Sequence, residues 1–280
     1  MSGCDCYTEQ PGQLLVGLCY SEQLCVVGYV QGVTQLRDVV YVVTTRSSAI
    51  LRYNAMTHQR LADIVITGLS RPLDIAACEL TSQLYVSENW ECVWRVSSDG
   101  VDIQRWLTRS PSDTFSPHTV SVTSSRLLVT SVSDRQLRQF DAAGGDELRR
   151  VRLPGYMHPR HAVESPTGTF IVSYHNTQLA RVNWQVIEVS TEGQVLLQFS
   201  GSLCWPEHIA IERQGNVFVA DSNHSRILLL DAQLVLRRII IDEHQLNGRL
   251  PLRLWYMDHS GELLVGFNDH SVAVFDVLRR

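Results

Sequence analysis

Short apolar runs separated by polar turns recur along the whole chain. Val40-Tyr41-Val42 precedes Thr44, Leu84-Tyr85-Val86 precedes Glu88, and Leu127-Leu128-Val129 precedes Ser131. Phe170-Ile171-Val172 leads to Tyr174, Val217-Phe218-Val219 to Asp221, and Leu263-Leu264-Val265 to Phe267. Successive markers lie 44, 43, 43, 47 and 46 residues apart, a regular period. Another run follows each marker at a near-constant distance, as in "AILRYNA", "CVWRVSS" and "RILLLDA", and most units carry one more, as in "VDIQRWL" and "LVLRRII". Five units open on a proline: Pro72, Pro117, Pro159, Pro206 and Pro251. The runs are short, β-branched or aromatic, and bounded by Gly, Asn, Asp and Ser, so the pattern predicts strands. No segment sustains a helical period.

Four short antiparallel strands repeated about every 44 residues predict the blades of a propeller. The expected fold class is therefore all-β, a six-bladed β-propeller of four-stranded blades. The last unit supplies three strands before Arg280, so an N-terminal strand is expected to close the ring and cover the open sheet edges. Two runs qualify, "QLLVGLCY" and "LCVVGYV", and residues 23–30 are favoured. The expected domain plan is a loose tail over 1–12 and one propeller domain over 13–280.

Composition narrows the function classes. With 44% hydrophobic and 19% charged residues the chain is an ordinary globular mixture. No apolar run approaches the ~18 residues of a membrane span, so no membrane partner is expected. The segment "MSGCDCYTEQ" lacks a basic region followed by an apolar stretch, which predicts a cytoplasmic protein. The seven cysteines (Cys4, Cys6, Cys19, Cys25, Cys78, Cys92, Cys204) are odd in number and show no paired zinc spacing, so reduced thiols are expected. Net charge is -5, against the basic face that broad nucleic-acid binding needs. All 24 cationic residues are arginine, which removes lysine Schiff-base chemistry and P-loops.

The fifth unit, "WPEHIAIERQGNVFVADSNHSRILLLDA", contains a proline, an Ile-Ala pair, a Gly-Asn turn, "VAD", and Asn-His-x-Arg-Ile before an apolar strand. It resembles the NHL repeat. The second unit ("RPLDIAACELTSQLYVSEN") and the fourth ("HPRHAVESPTGTFIVSYHN") share part of that pattern. The resemblance implies a six-bladed propeller over nearly the whole chain, a binding platform in many relatives and an enzyme scaffold in a few. Fold alone does not settle function.

Residues just after each proline begin an inner strand and should encircle one channel mouth. They are Leu73-Asp74, His118-Thr119, Arg160-His161, Glu207-His208 and Leu252-Arg253. The binding candidates there are Asp74, His118, Arg160, His161, Glu207, His208 and Arg253. A polar ring of this kind suits a metal or an anionic ligand, and equally suits strand-start chemistry beside solvent. A second ring comes from the markers, with Glu88, Tyr174 and Asp221 as candidates; Asp221, His224 and Arg226 also fit the turn signature of the repeat.

Two enzyme readings follow from the resemblance. NHL-type amidating lyases hold zinc through histidines immediately after the blade prolines, and only His118 matches. His161 and His208 lie one residue on, where strand alternation points them elsewhere. Lactonase-like propellers hold calcium with hard oxygen ligands, for which Glu88, Asn89, Glu207, Asp221 and Asn223 have the right chemistry. No catalytic residue is assigned, no cofactor is expected, and Zn or Ca remains the alternative.

The leading expectation is a monomeric, non-catalytic interaction module that binds a protein through its loop faces or channel mouth. By resemblance it would be a substrate-recognition adaptor in ubiquitin-type pathways, where ligase activity would need a partner. An RNA-binding propeller is the alternative, with Arg149, Arg150 and Arg152 as its patch; interleaved acids and an outer-strand position make edge protection the competing explanation. Trp90, Trp94, Trp106, Tyr174 and Trp205 offer an aromatic surface, or inter-blade packing.

Overall fold

The computed structural model describes residues 20–26, 28–110, 112, 114–178 and 183–277. Six four-stranded sheets follow one another along the chain. Numbered in chain order, their inner strands are Val30–Leu36, Pro72–Cys78, Pro117–Thr123, Met157–Glu164, Pro206–Ile211 and Pro251–Met257. Helical structure among the described residues amounts to one four-residue helix, Glu243–Leu246, and a 3-10 turn.

The ring closes as expected, but with a shifted strand. Tyr20–Cys25 pairs antiparallel with Ser271–Asp276 and completes the sixth blade. The favoured span of 23–30 overlaps it by only three residues. The chain leaves the sheet after Cys25, turns at Gly28 in the left-handed region (φ 92°), and Val30 already opens the inner strand of blade one. A single strand cannot serve both blades, so the glycine turn sets the boundary. The tail over 1–12 lies outside the described residues.

Apolar side chains fall into six clusters, one between each pair of neighbouring blades. Strand alternation distributes each sheet to both neighbours. In blade two, Tyr85 packs with Leu127 and Phe140 of blade three, whereas Val86 packs with Val43 of blade one. Middle strands are thus buried on both faces, which explains why their runs read as continuously apolar. Tyr41, Tyr85, Phe170, Phe218 and Phe267 are among the largest fully buried residues, each contributing roughly 1.5–3 kcal/mol of transfer free energy.

One irregularity repeats in all six blades. Each proline pairs with the marker of its blade: Pro72 with Glu88, Pro117 with Ser131, Pro159 with Tyr174, Pro206 with Asp221, Pro251 with Phe267. Val30 stands opposite Thr44 in the same way. The register then shifts, so the residue after the proline is the extra residue of a β-bulge. A bulge breaks strict alternation and re-aims the side chains beside it. This feature positions the site.

Candidate functional site at the two ends of the channel

At the end where the inner strands begin, the bulge turns the expected polar ring into two layers. The second residues after the prolines form a belt between blades. Asp74 accepts the Val120 N–H at 3.0 Å, His161 Nδ1 accepts that of Ile209 at 3.4 Å, and His208 Nδ1 that of Leu254 at 3.4 Å. Thr119 donates to the Arg160 carbonyl and Arg253 Nε to the Gln31 carbonyl. Each of these side chains bonds to the next blade. Gly32 supplies no side chain in blade one, and a Cβ there would lie 2.6 Å from the Ile75 nitrogen.

The first residues after the prolines meet the belt in an ion-pair knot. Glu207 accepts from Arg160 at 2.6 and 2.8 Å, from Arg253 at 3.3 Å, and from the Trp205 indole. Arg253 also donates to the backbone carbonyls of Leu252 and Leu73, so its guanidinium lies across the channel axis between blades six, one and two. Burial works to raise the Glu207 pKa, but Arg253 and Arg160 hold it below the ordinary carboxylate range. His118 sits beside this knot; burial, then Arg160 and Arg253, push its pKa down to about 4. This end of the channel is filled by its own charges.

His161 and His208 thus stand in a different layer from His118, and what they meet there is Asp74. With the bulge before them, both face Asp74, their Nε2 atoms 3.9 and 3.7 Å from its Oδ2. One ligand atom from each of the three residues lies within 4.8 Å of the others, and all three are buried. The donor chemistry nevertheless suits a divalent ion poorly. Each Nδ1 accepts a backbone N–H, so in the neutral ring the proton sits on Nε2, whereas a metal-bound histidine donates from its second nitrogen. The rings are stacked with centroids 3.6 Å apart and 22° between planes. Burial, followed by His208 for one ring and Arg253 for the other, lowers both histidine pKa values well below 6.5. Burial raises that of Asp74.

The second ring does not assemble around the channel. Glu88 lies inside blade two, where its carboxylate accepts from Trp94 Nε1 at 2.7 Å and from the Ser70 backbone at 2.6 Å. Asp221 accepts from Cys204 N at 2.7 Å and Arg226 Nε at 2.7 Å, and pairs with His224 Nδ1 at 2.8 Å, the turn role that the repeat signature implies. Tyr174 is packed in the core between blades three and four. Of the aromatic candidates, Trp94 and Tyr174 are buried and Trp106 packs against Tyr85 and Phe140. Trp90 and Trp205 are exposed.

The opposite end of the channel is open. A cavity of about 610 Å³ is walled by the last residues of the inner strands and the turns after them, including Gln35, Glu79, Glu164, Glu212, Trp255 and Asp258. A chamber of about 130 Å³, which reaches His161 and His208, shares with it the walls Val122, Thr123, Ile211, Trp255, Tyr256 and Asp258. No residue of this vestibule was singled out from the sequence. The available signal was positional: Glu79, Glu212 and Asp258 follow Pro72, Pro206 and Pro251 by seven, six and seven residues.

No protein-family model and no curated protein matches the chain. Solved structures do. Kuenenia stuttgartiensis hydrazine synthase matches with a TM-score of 0.65 at 10% identity, over 95% of this chain and 99% of that one. The WD40 β-propeller domain of Doa1 matches with a TM-score of 0.64 at 13% identity, over 93% and 97%. The chain is a six-bladed β-propeller. At these identities the likeness concerns fold alone, and the propeller's role has to be argued from its own surfaces.

Proposed function

We propose that the propeller is a non-catalytic interaction module that binds a protein partner on the face where its inner strands begin. The observation that carries this reading is a pair of exposed tryptophans in an unfavourable backbone conformation. Trp90 (40% exposed, φ 58°) and Trp205 (41% exposed, φ 63°) both occupy the left-handed region. For a bulky residue this costs of order 1–3 kcal/mol and persists at sites where function retains it. Both rings are held in place: Trp90 lies parallel to His118 at 6.3 Å, and Trp205 lies tilted by 34° against Trp184 at 4.9 Å, beneath Arg160 at 5.4 Å. Tyr29, also exposed, stacks on His270 at 4.8 Å on the same face. Rigid aromatic residues beside arginine are the composition of binding hot spots. The sealed channel beneath leaves the surface itself as the place of contact.

The NHL relationship and the adaptor role in ubiquitin-type pathways rest on sequence resemblance alone. The RNA reading gains little support. Arg150 donates to Glu147 at 2.9 Å, and Arg149 and Arg152 stand on the outer strand Glu147–Arg152, where charge guards an edge.

Replacing Trp90 by glycine tests the proposal, because glycine tolerates the left-handed conformation. The expected result is a thermal midpoint at least equal to wild type, together with loss of the proteins that wild type captures by cross-linking. Unchanged capture by Trp90→Gly would remove this face from consideration.

A further inference from the structure

The vestibule at the open end of the channel differs in charge from everything around the knot. Five carboxylates contribute to its wall, Asp38, Glu79, Glu164, Glu212 and Asp258, and they come from five different blades. Two guanidiniums face them, Arg37 and Arg213. Arg213 lies 3.5 Å from Asp258, and Arg37 donates to Ser82. Glu164 is paired with Arg126 at 2.8 Å. Asp38 and Glu79 form no ion pair among the described residues, so the mouth keeps an excess of negative charge. A concave wall of one sign concentrates field and recruits counter-charge.

Two further features point to an occupant. Gln35 stands in the cavity wall, more than nine-tenths buried; its amide nitrogen donates to the Arg37 carbonyl at 2.7 Å, and its oxygen has no hydrogen-bond partner. That oxygen is covered from solvent, and as an unmet acceptor just behind the wall it adds to the negative field there. Trp255 and Tyr256, both half-buried, line the same cavity and offer apolar surface and a ring face, which attracts cations as well as methylenes. The Tyr256 hydroxyl is pushed up to about 12 by burial, with Glu212 and Asp258 adding to the shift, as expected in a negative field.

We infer that the vestibule is a second binding site, separate from the tryptophan face, and that it takes an arginine-bearing segment of a partner protein. The combination of carboxylates and an aromatic wall matches a guanidinium on an apolar stem. The volume of about 610 Å³ is in the range of ligand sites and far too small for a folded domain. One or two side chains enter while the peptide backbone stays at the mouth.

The test uses the whole chain and a fluorescein-labelled Gly-Arg-Arg-Arg-Gly peptide, followed by anisotropy. The same peptide with citrulline in place of arginine keeps the shape and removes the charge. Expected results are saturable binding of the arginine peptide, weakening as salt rises, and at least tenfold weaker binding of the citrulline peptide, about 1.4 kcal/mol. Glu79→Gln should weaken binding and Glu79→Arg should abolish it, with thermal midpoints confirming that both variants fold. Equal affinity for the two peptides, or full affinity in Glu79→Arg, would overturn the inference. Spermine that binds as tightly as the peptide at the same residues would also overturn the assignment to a protein segment.

Discussion

The two ends of the inner strands carry the same residue types to opposite effect. Where the strands begin, Glu207 sits between Arg160 and Arg253, and the charges are matched within the fold. Where they end, Glu79 and Asp38 face a cavity of about 610 Å³ without an internal counter-charge. The difference is geometric. The bulge after each proline aims side chains inward, across blades, until they touch. After the inner strands, Asp38, Glu79 and Asp258 stay exposed on separate turns, and only Glu164 is buried, against Arg126. A propeller built from near-identical units thus has one end that holds the ring together and one end available to something else.

The comparison breaks most sharply at Glu207. Glu207→Ala leaves two arginines at the sealed end without their carboxylate, and the loss expected in urea unfolding is about 3–5 kcal/mol. A loss below about 1 kcal/mol would mean that solvent already satisfies the arginines and that the end is not sealed.

Acid should weaken the same end by a graded amount. His161 and His208 are buried and held neutral, while in the unfolded chain each takes a proton near pH 6.5. Native pKa values below unfolded ones mean that stability is full above about pH 6.5 and falls as pH drops, by up to about 1.4 kcal/mol per pH unit for each ring. His118 adds to this only down to about pH 4, where the folded state itself becomes protonated. Asp74, whose pKa is raised, titrates in the opposite sense over the carboxylate range. Urea midpoints measured from pH 7.5 to 5 check this; a flat profile would show the rings to be solvated.

The smallest effect belongs to the open end. Glu79→Gln should leave stability within about 0.5 kcal/mol of wild type, as at other surface positions without a partner. A larger loss would reveal a partner within the fold and would erase the contrast between the two ends.

Much of the fold was legible because propeller periodicity is written locally. Markers such as Val219-Ala220-Asp221, the prolines and the turn glycines repeat on one scale, and each blade needs the same strands. The sequence predicts the closing strand but not its span, because Gly28 reads equally as a strand residue or a turn until blade one places Val30. At the site, the polar pairs after the prolines were visible while their meeting was not. Alternation separates His161 and His208 from His118, but that they meet Asp74 depends on a bulge, a relation between two strands. The vestibule is not legible in the sequence because Glu79, Glu212 and Asp258 look like ordinary turn residues when read one blade at a time.

Sequence by itself therefore determined the strands, the count of six blades and the turn roles of Asp221, His224 and Arg226, all of which depend on short-range pattern. Tertiary structure alone decided which side chains meet across blades: that Arg253 reaches Glu207, that Asp74 lies against two stacked histidines, and that five separate carboxylates share one mouth. Residues 40 or more positions apart are brought together by ring closure and aimed by bulges, and neither is encoded in any single repeat.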